Sequence, residues 1–187
     1  MQTSHEEQLR DLYMQINALR REMAEVRRSR EAESVQDYVF TGAQGDVSLS
    51  ALFGDKPDLF VIHNMGTSCP YCTLWADGFS GLAAHWQNRA SVVLSSPDDI
   101  ETVRQCAGER NWRIPVVSVA NSSFAADMGY HSDAGYQPGI SVFQKRGQSI
   151  VRVSTSPFGP GDDYCSMWHL LDLLPQGADG WQPQTRY

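Results

Sequence analysis

Cys69 and Cys72 stand three residues apart in "NMGTSCPYCTLW", and the chain holds two further cysteines, Cys106 and Cys165. A C-x-x-C can be half of a zinc site, a structural disulfide or a redox-active dithiol, and its surroundings choose among these. An apolar run, "LFVI" from Leu59, reads as a buried strand reaching about Asn64. From Thr73 to about Gln87 helical spacing follows, with Cys72, Trp75, Ala76, Phe79, Leu82, Ala83 and Trp86 on one face. Cys69 therefore falls at a helix N-cap, where unpaired N–H groups and the positive end of the dipole favour a thiolate. Pro70 suits the first helical position because no needed donor is lost. A thiol so placed has a pKa of roughly 3.5 to 7.5 instead of about 8.5 and becomes the attacking group. Cys72, one turn on and facing inward, keeps a higher pKa. The chemistry this pattern can perform is attack by Cys69 on a disulfide, a mixed disulfide, then attack by Cys72 to close the 69–72 bridge, with an external thiol to reopen it. It needs no cofactor.

The other readings of the cysteines are weaker. Zinc needs four ligands, and no second C-x-x-C or H-x-x-x-H is present. Cys106, Cys165 and His63 are left to complete such a site, so no metal is expected. Cys106 lies beside the stripe of Ile100, Val103 and Ala107, and Cys165 stands among Tyr164, Trp168 and Leu171; both read as small buried hydrophobes. His63 reads as a hydrogen-bonded residue near the core and Trp75 as core. Asp77 falls off the apolar helix face and is expected to be solvated, with no catalytic role. Gly78 and Gly81 each cost a helix about 1 kcal/mol relative to Ala, which marks a place where another element packs closely.

Composition narrows the class further. The chain has 187 residues, 41% apolar and 20% charged, which fits one soluble domain with a sizeable core. Its net charge of −7 would repel a phosphate backbone, and the basic cluster "RREMAEVRRSR" is interleaved with acids, so nucleic acid is not an expected partner. The apolar runs are far short of a membrane span. "MQTSHEEQLRDLY" is polar and acidic, unlike a secretory signal, so a cytoplasmic location is expected, where four cysteines do not form a disulfide framework.

Leu9, Leu12, Ile16, Leu19, Met23 and Val26 are spaced three, four, three, four and three apart, placing an apolar seam along a helix from about residue 5 to 33. Such a seam can join a second copy in a homodimer or lie across its own domain, and its length favours the second. After it come a short strand in "QDYVF", a turn, a brief amphipathic turn at "SLSALFG" and the strand before the dithiol. Beyond the dithiol helix, "ASVVLSS" and "IPVVSVA" are strands flanking the helix "PDDIETVRQCAGERN". "GISVFQKRGQSIVRVSTS" is a hairpin around "KRGQ", and a last helix runs from about Asp162 to Leu173. The resulting division is an amphipathic helix at 1–34, an α/β domain at 35–178 and a loose tail at 179–187.

A β-α-β portion, a hairpin and a final helix, with C-x-x-C where the first central strand meets its helix, resemble a thioredoxin-like fold: a central mixed β-sheet flanked by helices. In that fold a cis-proline opens the strand beside the dithiol, with Phe five residues on. Pro138 and Phe143 in "QPGISVFQKRGQ" match this relation, so the resemblance implies that Pro138 is cis and part of the site; Pro115 precedes a strand too early in the order. The segments "DYVFTGAQGDVSLSALFGDKPDLFVIHNM", "CPYCTLWADGFSGL", "GISVFQKRGQSIVRVSTS" and "LLDLLPQG" further resemble the bacterial domain-of-unknown-function family 899. The likeness runs from about residue 5 to 178, and "WADGF" is its most specific piece. It implies a dithiol-disulfide oxidoreductase acting on a protein or small-molecule disulfide, with an external thiol as electron donor. The nearest rival is a peroxiredoxin-type thiol peroxidase, whose peroxidatic cysteine has Thr or Ser three positions before it, where this chain has Gly66. A second rival is a non-enzymatic, dimeric module whose dithiol only senses oxidation.

Overall fold

The computed structural model describes residues 4–187; the first three residues of the 1–34 segment lie outside the described residues. Helix α1 (His5–Ser29) opens on a capping box, with Ser4 Oγ accepting from the Glu7 N–H at 3.2 Å and the Glu7 carboxylate accepting from the Ser4 N–H at 3.0 Å. It ends before residue 33 because Glu33–Val35 forms strand β1. A hairpin of β2 (Val39–Gly42) and β3 (Gly45–Ser48) follows, then the single turn α2 (Leu49–Leu52) and the central strand β4 (Asp58–His63). Next come α3 (Pro70–Gly81), α4 (Ala83–Arg89), β5 (Ser91–Ser96), α5 (Ile100–Glu109), β6 (Val116–Ser118) and α6 (Phe124–Asp127). The chain closes with a two-rung ribbon of β7 (His131–Ser132) and β8 (Gly135–Tyr136), the long hairpin of β9 (Gly139–Arg146) and β10 (Ser149–Pro157), and α7 (Ser166–Leu171).

Among the described residues eight strands form one sheet in the order β1-β10-β9-β4-β5-β6-β2-β3. β4, β5 and β6 run parallel, and the remaining pairs are antiparallel. The hairpin read around "KRGQ" is thus present. The alternation in β4 sends Leu59 and Val61 to a cluster with Phe40, Val93, Val117 and Phe124, while Ile62 joins Trp75, Phe79, Leu94, Val103 and Trp168 on the opposite face. Each fully buried Phe or Leu in these layers contributes about 1.5–3 kcal/mol.

Several expectations are corrected. The dithiol helix does not run unbroken to Gln87, because Leu82 leaves helical geometry (φ −94°, ψ 1°) between α3 and α4. Gly78 and Gly81 do not receive a closely packed neighbour: a Cβ at either would meet open space, and the low helix propensity there accompanies the break instead. The seam of α1 does not lie across the body; its six apolar residues remain 45–66% exposed. Residues 179–187 are not a loose tail, since Trp181 packs on Trp168 with ring centroids 6.3 Å apart and the Thr185 carbonyl accepts from Arg110 at 2.8 Å.

Candidate active site

The site is built where β4 leaves the sheet. The Asn64 N–H donates to the Ser95 carbonyl at 3.0 Å, and its side-chain oxygen accepts from the Gly66 N–H at 2.6 Å. Gly66 has φ +116°, a conformation that glycine alone enters cheaply, and a Cβ there would stand 3.3 Å from both oxygens of Asp98. Asp98 also accepts from the Thr67 N–H at 2.6 Å, so the carboxylate after β5 clamps the loop that delivers the dithiol. The Cys69 N–H then closes a turn onto the Gly66 carbonyl at 3.1 Å.

Cys69 is the N-cap of α3, and Pro70 is its first helical residue. Cys69 Sγ accepts from the Cys72 N–H at 3.1 Å, satisfying one of the helix's free donors. Thr73 donates its hydroxyl to the Cys69 carbonyl at 3.0 Å and fixes the first turn. The Cys69 thiol is held down at about 7, chiefly by a hydrogen bond from the Cys72 thiol and also by backbone N–H groups, against the opposing effect of partial burial. That shared hydrogen bond drives Cys72 strongly upward, and burial adds to it. Cys72 Sγ accepts from the Met65 N–H at 3.4 Å, a donor in place to hold negative charge on this sulfur. Cys69 is half-buried and Cys72 buried; both thiols are free. A groove of about 710 Å³ opens alongside, lined in part by Thr67, Ser68, Thr73, Gln105 and Cys106.

Gly139, which opens β9, pairs with His63, so Pro138 leaves the sheet at the same end as the dithiol loop. Its carbonyl accepts from the Phe158 N–H at 3.0 Å. The expected cis-proline is corrected: every peptide bond among the described residues is trans, Gln137–Pro138 included. The Gln137 N–H is held by the Tyr130 carbonyl at 2.8 Å, and the Tyr130 ring fills the space against Gly139, where a Cβ would collide with it.

His63 points to the sheet face opposite α3. It stacks on Tyr130 with centroids 3.9 Å apart, and its Nε2 is hydrogen-bonded to Ser141 at 2.9 Å. Burial, helped by Arg152, lowers its pKa to about 3, so it is a neutral core residue, as its place on the strand implied. Cys165 is buried in the aromatic layer with Trp168, and Trp75 is core. Cys106 is half-exposed on the groove rather than fully buried, and burial still raises its pKa. Among the described residues no group of His, Cys, Asp and Glu converges to hold a metal ion.

Sequence reasoning missed two groups here. Asp77, expected to be solvated, accepts from Arg110 Nε at 2.9 Å and Trp112 Nε1 at 2.7 Å, tying α3 to the end of α5. Asp98 is the second, standing just before α5 in "PDDIETVRQCAGERN". Asp99 is the actual cap, receiving the Thr102 N–H at 3.0 Å, which leaves Asp98 free to turn back toward Gly66.

A parallel β4-β5-β6 core extended by an antiparallel hairpin, with a Cys N-cap after the first parallel strand, defines a thioredoxin-like fold. The model of the family described as "Bacterial protein of unknown function (DUF899)" matches residues 2–186, and the chain belongs to that family. The fold is similar to peroxidoxin BcpB from Mycobacterium tuberculosis, at 22% identity and TM-score 0.59, covering 67% of this chain and 84% of that one. It is similar also to peroxiredoxin Q from Xanthomonas campestris, at 15% and 0.55, covering 67% and 87%. A hypothetical protein from Sinorhizobium meliloti is similar at 19% and 0.52, covering 83% and 88%. No curated protein matches the sequence. Among the described residues no helix is long and apolar enough to cross a membrane.

Proposed function

We propose that the protein is a cofactor-independent thiol-disulfide oxidoreductase of the cytoplasm, with Cys69 as nucleophile and Cys72 as resolving thiol. The observation that carries this reading is the asymmetry of the pair. Cys69 caps α3 with a pKa of about 7, so near neutral pH a large fraction is thiolate, whereas the buried Cys72 stays protonated.

In the reducing direction, the Cys69 thiolate attacks one sulfur of a substrate disulfide; the Cys69–substrate bond forms as the substrate S–S bond breaks, releasing one substrate thiolate. Cys69 then no longer carries charge. The hydrogen bond that held the proton on Cys72 is lost, while the Met65 N–H remains to receive the developing thiolate. Cys72 gives up its proton to solvent or to the departing thiolate and attacks Cys69 Sγ. The 69–72 disulfide closes, the second substrate thiol leaves, and two electrons have passed to the substrate. An external thiol reopens the bridge. Pro138, at the same end of the sheet, belongs to the rim on which the substrate would lie.

The fold is shared with peroxiredoxins, which keeps a peroxidase as the rival. Against it stands Gly66: at φ +116°, facing the Asp98 carboxylate, this position does not admit the Thr or Ser expected there. Reduction of insulin and of a glutathione mixed disulfide, followed beside hydrogen peroxide consumption, tests the choice. Disulfide turnover that disappears in Cys69→Ser, with a trapped mixed disulfide in Cys72→Ser, is the expected result. Full activity in either variant, or faster turnover of peroxide than of disulfide, overturns it.

A further inference from the structure

We infer that α1 is half of an antiparallel two-helix interface whose other half is α1 of a second copy of this chain. The helix is 25 residues long, roughly 37 Å, and buries none of them in its own body. Its link to the body runs along one stripe in its second half. Arg20 pairs with Asp163, Asn17 and Ala24 are half-exposed, and Arg27 stands with Ala24 over Gln144 and Arg146. The seam occupies the neighbouring stripe; Met23 borders the body, where it lines a groove with Asp163, Tyr164 and His169, and the rest is left open, with Leu9 at 66%, Ile16 at 45% and Leu19 at 59% exposure.

Two features select an antiparallel copy as the occupant. The seam maps onto itself when reversed about the midpoint between Asn17 and Ala18, which sets Leu9 opposite Val26, Leu12 opposite Met23 and Ile16 opposite Leu19. Every apolar position meets an apolar position. The charges reverse as well: residues 5–16 carry Glu6, Glu7, Asp11 and Arg10, a net −2, whereas residues 17–29 carry four arginines against Glu22 and Glu25, a net +2. An antiparallel pair lays each acidic half over a basic half, and a parallel pair would stack like on like. Burying the six seam residues of both copies removes on the order of 1,200 Å² from water, the lower edge of stable interfaces.

The test is sedimentation equilibrium of the full chain over about 1–100 µM, a range that brackets an interface of this size. A dimer is expected. Leu19→Glu should weaken it at least tenfold with unchanged circular dichroism and unchanged Cys69 alkylation, while Met14→Glu, an equally exposed change off the seam, should leave it intact. In a mixture of Leu9→Cys and Val26→Cys chains, mass spectrometry should find 9–26 links. A monomer throughout, a dimer indifferent to Leu19→Glu, dissociation by Met14→Glu as complete as by Leu19→Glu, or 9–9 links would each overturn the inference. So would a monomeric chain that sediments with phosphatidylserine-containing vesicles.

Discussion

Cys69 and Cys165 hold the same position in the local grammar of the chain, since each is the residue before the first turn of a helix. They end with opposite chemistry. At Cys69 the sulfur accepts a backbone N–H and a neighbouring thiol, and its pKa falls to about 7. Cys165 makes no side-chain cap on α7. It lies in the aromatic layer, where burial outweighs the weaker pull of the Met167 and Trp168 amides and raises its pKa. Being at a helix start is therefore not sufficient for a nucleophile. What counts is whether the sulfur is aimed at unpaired donors and keeps a path to solvent. His63 extends the contrast to nitrogen: it lies one sheet face away from α3, and burial has silenced it.

The largest effect should come from exchanging the two sulfurs for oxygen. Cys69→Ser is expected to lower disulfide turnover by about a thousandfold or more, and Cys165→Ser to leave it within about twofold, measured by insulin reduction. Comparable losses in both would erase the contrast. His63 gives the next effect. Its folded pKa, near 3, lies below the ordinary value near 6.5, so the unfolded chain binds the extra proton between them and stability falls as pH drops below about 6.5. About 2 kcal/mol should be gone by pH 5, measured by urea unfolding, and His63→Gln should flatten that slope. A smaller shift is expected from Cys72→Ala. Without the thiol donor, the pH midpoint for iodoacetamide reaction at Cys69 should climb from about 7 toward the usual value near 8.5, slowing alkylation at pH 7 about tenfold. The smallest effect should be at Cys106, whose raised pKa predicts alkylation only at alkaline pH despite its place on the groove.

The dithiol at the strand-helix junction, the parallel strands and the terminal hairpin could all be read from the sequence, because period, Pro70 and the "KRGQ" turn are local signals. What escaped reading depends on partners distant in the chain. Asp77 looked solvated on its own helix until Arg110 and Trp112, more than thirty residues away, reached it. Asp98 acts across to Gly66, and β1 forms only because Ile150–Arg152 of β10 lies alongside. Gly78 and Gly81 lie in a helix that stops, which glycine permits as readily as it permits close packing. The bond before Pro138 keeps the trans isomer that an X-Pro bond favours by itself, and a cis bond imposed by a fold is not a local signal.

The aromatic layer beneath the dithiol has an optical consequence. Trp75 lies one turn beyond Cys72, with Tyr71 6.2 Å and Trp168 6.5 Å from its ring, all in the shell that the first turn of α3 covers. Sulfur groups quench indole emission at short range, so closing the proposed 69–72 bridge is expected to change the light that Trp75 returns. Intrinsic emission recorded against graded reduced and oxidised glutathione is thus expected to follow the proposed bridge without label, electrode or gel, and a spectrum that never changes would count against a bridge forming beside Trp75.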